Sequence, residues 1–398
     1  MRVLVFTSLF PNNIWPLHGV FIQERMTRVA ALPGVSLRVV APVPYFPPLK
    51  LGARWLYSQV AREETIEGLP VTHPRYFMIP KVATGWHGPF MARALLPYVK
   101  SLRAAFDFDV IDAHYVYPDG FAAVEIGRTL GVPVVVSARG SDINLFREIP
   151  SARPHLVRTL ERASGLIAVS EALGRAMQEL GAPAGKVRVI PNGVDARKFH
   201  PVPRDTARER TGSAQAGRLV LAVGHLTQNK GFDRLLGAFR GLLNLGGYED
   251  VRVVIVGEGV YRKELERLVG FYGLGERVRL AGQVPHAELH LWYGAADLSC
   301  LFSRREGWPN VVLESMACGT PVLATPVGGV PEIIGKGPAG ALAEGDDDAL
   351  ALALAQALDR SWDREAVARF AQKHTWEQAA DSVHRVLASV VAGAGVPG

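Results

Sequence analysis

The chain has 398 residues, enough for two domains of ordinary size, and its 48% hydrophobic and 21% charged residues exclude a disordered chain. The net charge is +6, carried by 44 basic residues spread along the sequence with no basic stripe or block, which argues against a nucleic-acid binder and fits an anionic small substrate or an anionic membrane surface. Two cysteines, Cys300 and Cys318, give no disulfide framework and no zinc-ligand spacing, and no run of about 20 apolar residues is present to span a membrane.

Residues 2–7 are a β-rich run, expected to be a buried first strand and not a leader, because the apolar run is short and no small-residue cleavage site follows it. Phe21 to Ala31 has helical spacing, and Val35 to Pro42 is a second strand, completing a βαβ unit. His18-Gly19-Val20-Phe21 lies between the first strand and its helix, where Gly19 lets backbone amides approach a ligand. Residues 45–100 carry Tyr45, Phe46, Trp55, Tyr57, Tyr76, Phe77, Trp86, Phe90 and Tyr98 among Arg54, Arg75, Lys81 and Arg93. This segment reads either as a membrane-facing or acceptor-binding surface or as ordinary packing on the first sheet.

Asp107-Phe108-Asp109 matches an Asp-x-Asp metal pattern but enters a strand instead of leaving one, so it reads as an edge acid pair. Val110-Ile111 leads into Asp112-Ala113-His114, placing His114 at a strand end. Val132 to Ser137 ends at Arg139-Gly140-Ser141-Asp142, where Arg139 and Asp142 suit acceptor hydroxyls or phosphate. Leu166 to Val169 is a strand, Ser170 caps the helix Glu171 to Leu180, and Val187 to Ile190 ends in the turn Pro191-Asn192-Gly193.

The pattern restarts after Pro201, Pro203 and the polar stretch Arg204 to Gly217, which reads as a hinge. Leu219 to Val223, Val251 to Val256, Val278 to Leu280, Leu298 to Phe302 and Val322 to Ala324 are strands, with helical segments between most of them. Two runs of alternating strands and helices imply two doubly wound α/β domains with parallel sheets and a cleft between them, divided as residues 1–200 and 201–375. Trp376 to Val391 is amphipathic and is expected to form a C-terminal helix, over residues 376–393.

Chemistry concentrates in the second half. Gly224-His225-Leu226-Thr227-Gln228-Asn229-Lys230-Gly231 precedes a helix from Phe232, and a cationic loop at a helix N-terminus suits an anion, with Lys230 as the point charge. Gly257-Glu258-Gly259 is half of a dinucleotide fingerprint; Arg262 stands at the third glycine position and the acidic partner is missing, so it reads as a tight turn near a nucleotide. Glu306 and Glu314 stand eight positions apart in Ser-Arg-Arg-Glu-Gly-Trp-Pro-Asn-Val-Val-Leu-Glu (Ser303 to Glu314), which reads as strand end, loop and helix with Asn310 as N-cap and Gly319 as the stop. Two acids at the carboxyl end of a parallel sheet suit a polyhydroxylated ligand, one for a sugar and one for a ribose. Asp346-Asp347-Asp348 reads as a helix start, and no dedicated metal site or cofactor is expected.

The Glu306-to-Glu314 segment resembles the double-glutamate signature of retaining glycosyltransferases of family 4, which have the GT-B fold. Thr7 to Phe21, Asp112 to Gly120, Arg139 to Asn144, Ile190 to Asp195, Gly224 to Gly231 and Gly257 to Gly259 extend the resemblance, and the opening and Arg139-Gly-Ser-Asp run look like its bacterial exopolysaccharide and teichuronic-acid subgroup. The resemblance implies a metal-independent, retaining transfer of a hexose-type sugar from a UDP-, GDP- or ADP-sugar to a saccharide or lipid-linked acceptor in cell-envelope or exopolysaccharide synthesis. The setting would be cytoplasmic, peripheral to the inner membrane face. Catalytic roles fall to His114 at the donor sugar, Lys230 at the diphosphate and Glu306 at the sugar hydroxyls. Glu314 would hold the ribose, the base would lie near Gln283-Val284, and Gly19, His225, Gly257, Asn310 and Val311, with the Gly328-Gly329 amides, complete the donor site. The family usually has an arginine where this chain has His225. The C-terminal helix would cross back to the first domain. Competing readings are a non-catalytic nucleotide-sugar-binding protein and an NAD(P)-dependent oxidoreductase.

Overall fold

The computed structural model describes residues 1–50, 52–78, 84–335 and 337–394; Lys81 of the aromatic segment lies outside them. The chain divides into two compact units, residues 1–192 joined by the segment from Trp376, and Gly193–Thr375. The division falls at the Pro191-Asn192-Gly193 turn. Arg204 to Gly217, read as a hinge, instead begins with a helix, Arg204–Arg210, whose Ala207 is buried against the second unit's own helix Leu289–Ala295. The sequence reading missed that helix because Arg and Glu dominate it; both are good helix formers when one small apolar residue faces inward.

The first unit contains Arg2–Phe6 (β1), Ser36–Val40 (β2), Val43–Pro44 (β3), Glu63–Ile66 (β4), Leu69–Thr72 (β5), Arg75–Tyr76 (β6), Val110–His114 (β7), Val134–Ala138 (β8), Gly165–Ala168 (β9) and Val187–Val189 (β10). Eight of these form one sheet in the order β10-β9-β8-β7-β1-β2-β5-β4. All its pairs are parallel except β4 with β5, a hairpin in the aromatic segment. Glu67 (φ 49°) and Gly68 (φ 77°) make its turn; a two-residue hairpin needs such positive φ values, and Glu-Gly is a weaker signal than Asn-Gly.

Chain order runs outward from β1 through β2 to the β4–β5 hairpin on one side and from β7 to β10 on the other, so the topological switch point lies between β1 and β7. The helix Trp376–Ala394 packs on the helix Val20–Ala30, and Trp376, Val383 and Leu387 share a core with Val3, Val5, Ile22 and Met26. The C-terminal helix therefore belongs to the first unit, as expected.

The second unit contains Leu219–Val223 (β11), Arg252–Val256 (β12), Val278–Gly282 (β13), Leu298–Leu301 (β14), Val322–Ala324 (β15) and Gly340–Leu342 (β16). They form a fully parallel sheet ordered β13-β12-β11-β14-β15-β16, with its switch point between β11 and β14. Its β-branched strands pack under the helices Phe232–Leu245 and Asp347–Asp359, with Val220, Val253, Ile255, Phe239, Leu242, Leu350 and Leu354 fully buried. Asp346 caps the second of these helices through Ala349 N–H (3.0 Å), as its acidic triplet predicted.

Candidate active site

In the second unit, the loops that leave β11 and β14 lie on either side of the switch point, and their side chains meet. Lys230 Nζ donates to Glu306 Oε1 at 2.7 Å, and Ser303 Oγ donates to the same oxygen at 2.7 Å. The Glu306 side chain is 8% exposed and that of Lys230 25%. Main-chain and side-chain bonds hold this pair in place. Asn229 Nδ2 donates to the Arg305 carbonyl (2.8 Å), Arg304 N–H to the Asn229 carbonyl (2.8 Å), and the Arg304 guanidinium to both Asp233 oxygens (3.0 and 2.7 Å). The next loop, after β15, joins through Gly329 N–H to the Gly307 carbonyl (3.0 Å).

Glu314 lies one turn into the helix Asn310–Ala317 and is 9% exposed. Its Oε2 accepts from the Tyr293 hydroxyl at 3.2 Å, and its Oε1 lies 3.5 Å from His286 Nε2. The N-cap of this helix is Pro309, with Asn310 as the first helical residue, so the expected Asn310 cap is corrected. Proline suits this boundary because a capping residue keeps an extended backbone (φ −79°, ψ 100°) and its missing N–H would have no helical partner there. The stop at Gly319 (φ 77°) stands, with Gly319 N–H on Met316 and Thr320 N–H on Ser315.

Val311 is half-buried on the same helix, Val284 is half-buried after β13, and His225 is exposed at the end of β11. Gly257 N–H reaches the Gly282 carbonyl (2.8 Å) and Leu226 N–H the Glu258 carbonyl (2.9 Å), so the β11, β12 and β13 loops share one backbone network. Ser303, Tyr293 and His286 were missed as site residues. Ser303 had a signal in its position three residues before Glu306; Tyr293 sits in an apolar helix and had none.

In the first unit, His114 ends β7 and is fully buried, with Nδ1 2.6 Å from Arg139 Nη2. Burial, reinforced by the Arg139 and Arg25 charges, holds the imidazole well below its usual pKa. Tyr115 follows at φ 84°, a conformation that costs a bulky residue on the order of 1–3 kcal/mol and gathers at functional sites. Arg139 also donates to Asn192 Oδ1 (3.3 Å) and stands over the Phe21 ring. Asp142 is fully buried and accepts from three backbone amides, Val116 (2.8 Å), Arg139 (2.9 Å) and Gly140 (2.7 Å), so its carboxylate shapes the loop. Gly19 has φ 72°, and an added Cβ would sit 2.4 Å from the Leu9 carbonyl oxygen, which makes glycine obligatory there.

Arg25, Asp112 and Asp119 are further buried ionisable groups in this unit. Arg25 had a legible signal, because it shares a helical face with Ile22, Met26 and Val29. Asp119 Oδ2 accepts from both Ser8 N–H (3.0 Å) and Ser8 Oγ (2.8 Å), tying the β1 loop to the β7 loop. Burial raises its pKa to about 7, with the Ser8 bonds opposing. A carboxyl raised from 3.8 in this way holds its proton in the folded state, so its contribution to stability is full below that value and is lost as pH rises to about 7. Asp119→Asn keeps the acceptor and cannot ionise. Its stability relative to the native chain should therefore rise between about pH 4 and 7 and then level, as read by denaturant titrations across that range. A difference that does not change with pH would show that Asp119 does not titrate in this window.

Two doubly wound units, each with polar loops gathered at its switch point, make up the GT-B architecture. The Glycosyltransferase Family 4 model matches residues 34–198 and the Glycosyl transferases group 1 model residues 203–374. A Bacillus subtilis protein named as a teichuronic acid biosynthesis glycosyltransferase, TuaC, is 30% identical over 348 residues, covering 84% of each chain. D-inositol 3-phosphate glycosyltransferase 1 of Catenulispora acidiphila is 32% identical over 313 residues, 73% of this chain and 75% of that one. Among solved structures, sucrose-phosphate synthase of Thermosynechococcus elongatus superposes with TM-score 0.79 at 21% identity (98% and 99% coverage). HepE of Anabaena, in complex with UDP, does so with TM-score 0.72 at 22% identity (98% and 100%). The chain belongs to glycosyltransferase family 4.

Proposed function

We propose that the protein transfers a sugar from a nucleoside-diphosphate sugar to a saccharide or lipid-linked acceptor of the cell envelope or an exopolysaccharide, with retention at the anomeric carbon. The observation that carries this reading is the Lys230–Glu306–Ser303 group at the second unit's switch point. Lys230 is the cation that meets the departing diphosphate, and its charge offsets the anion as the glycosidic bond lengthens. Glu306 then orients the hydroxyls of the transferred sugar, and Glu314, steadied by Tyr293, takes the ribose. Val284 is assigned to the base, His225 to the diphosphate beside Lys230, and Gly19, Gly257, Asn310 and Val311 to the rest of the donor. The site is assigned no resident metal because Lys230 supplies the positive charge.

His114 is assigned to the transferred sugar and the Arg139–Asp142 loop to the acceptor side. The UDP and UDP-glucose complexes of HepE support a UDP-sugar among the UDP, GDP and ADP alternatives. The Bacillus subtilis relative's name supports an envelope polysaccharide. Among the described residues no helix is long and apolar enough to cross a membrane. Tyr45, Phe77, Trp86 and Phe90 are exposed in the first unit, and the last two stack at 5.9 Å; they support peripheral contact with an anionic cytoplasmic membrane face.

Thermal stabilisation by UDP, GDP, ADP and nicotinamide nucleotides tests the donor reading, with Glu314→Ala as control. One nucleoside diphosphate at about 100 times its Kd should add roughly 2.7 kcal/mol, and the variant should lose most of that gain. Stabilisation by nicotinamide nucleotides alone would overturn the assignment.

A further inference from the structure

The first unit buries two guanidinium groups around one neutral ring. Arg25 Nη2 donates to the Ile190 carbonyl (3.1 Å) and to Asn192 Oδ1 (3.0 Å). The same Asn192 oxygen accepts from Arg139 Nη1 (3.3 Å), and Arg139 Nη2 lies 2.6 Å from His114 Nδ1. Arg25 and His114 are fully buried, and Arg139 is 9% exposed. The elements that meet here are the helix Val20–Ala30, the ends of β7 and β8, and the turn after β10. The charged or titratable groups they bring are Arg25, Asp112, His114, Arg139 and Asp142.

A guanidinium has five donors and no acceptor. The contact at 2.6 Å therefore requires a lone pair on His114 Nδ1, because a proton there would set N–H against N–H in a buried site. The ring's single proton then sits on Nε2. That nitrogen has no hydrogen-bond partner among the described residues, and the nearest acid oxygen, Asp112 Oδ2, is 3.5 Å away.

We infer that Arg139 is a positioning residue that fixes His114 as a neutral imidazole protonated at Nε2, with Asn192, itself bonded by Arg25, holding the guanidinium in place. His114 then offers a permanent N–H donor and serves neither as a base at Nε2 nor as a cation. Nε2 is itself buried, so a sugar hydroxyl, which presents lone pairs, takes that proton only if it enters the space beside the ring; that consequence rests on the proposed placement of His114 at the sugar, whereas the tautomer does not. Arg139 thus has Nη1 on Asn192 and Nη2 on His114 in addition to its proposed place on the acceptor side. Lysine at this position would supply a point charge that cannot bridge His114 and Asn192 together.

The test is a long-range proton–nitrogen NMR correlation of the full chain labelled with nitrogen-15 histidine, from about pH 5.5 to 8.5 around the ordinary histidine pKa, with His114→Gln used for assignment. The native protein should show His114 in the Nε2-protonated pattern without titration. In Arg139→Met the His114 signals should shift to a tautomer mixture or titrate. Turnover should fall about 30-fold or more with acceptor KM changed less than about threefold, a loss of transition-state binding and not of acceptor binding. Arg139→Lys should recover part of the rate. If Arg139→Met does not fold, Arg139→Lys and Asn192→Ala give the same two readouts at smaller amplitude. A proton on Nδ1 or an imidazolium in the native protein would overturn the inference, as would unchanged His114 signals with acceptor KM raised tenfold or more. An altered tautomer with full turnover would instead overturn the placement of His114 at the sugar, so the two failures are distinguishable.

Discussion

Replacing Lys230 with alanine is expected to lower kcat about 100- to 1,000-fold, roughly 3–4 kcal/mol of transition-state stabilisation, the usual loss when a preorganised charge facing a developing anion is removed. Two effects add. The diphosphate loses its cation, and the Glu306 carboxylate, 8% exposed, keeps Ser303 as its partner among the described residues and becomes harder to hold in one orientation. The fold should survive with a modest loss of stability, because the cation removed is 25% exposed while the carboxylate it leaves behind is 8% exposed and retains Ser303. Lys230→Arg should keep the charge but misplace it and fall between the two. Initial rates with saturating donor, alongside thermal melting, check this. A loss below about tenfold with an unchanged melting temperature would reduce Lys230 to a latch between the two loops.

Gly231→Ala should be among the most damaging single changes in the second unit. Gly231 has φ 66°, and a Cβ there would stand 1.9 Å from the Phe302 carbonyl oxygen, so the backbone of β14's exit must move. A left-handed alanine with a backbone clash is expected to cost about 2–4 kcal/mol. That corresponds to a fall of roughly 5–15 °C in melting temperature for a unit of this size. Because Gly231 is next to Lys230 and Phe302 next to Ser303, the same displacement opens the Lys230–Glu306 contact, and activity should fall even at temperatures where the variant is folded. A melting temperature within about 2 °C of the native value would mean that this close approach is absent in solution.

The alternating strands and helices, the restart of the pattern, and the Glu306-to-Glu314 segment were legible in the sequence. Burial of a parallel strand needs a run of β-branched residues such as Arg252–Val256, and a helix stop needs a residue such as Gly319; both requirements are local. The Glu67-Gly68 hairpin, the helix Arg204–Arg210 and the Pro309 cap were not, because each depends on a weak local signal that its surroundings decide. The site divides the same way. Glu306, Glu314, Lys230 and His114 stand out because polar residues punctuate the ends of apolar strands. Their partners were hidden. Lys230 and Glu306 are 76 residues apart, Arg139 and His114 are 25, and Arg25 and Asn192 are 167. Periodicity reports which face of an element is buried, while the side chain that meets a given charge is set by strand order and by which loops share a switch point. The sequence alone thus determined the fold class and the residues able to do the chemistry; the tertiary structure decided which of them are paired, because buried charges choose partners only after the sheets have assembled.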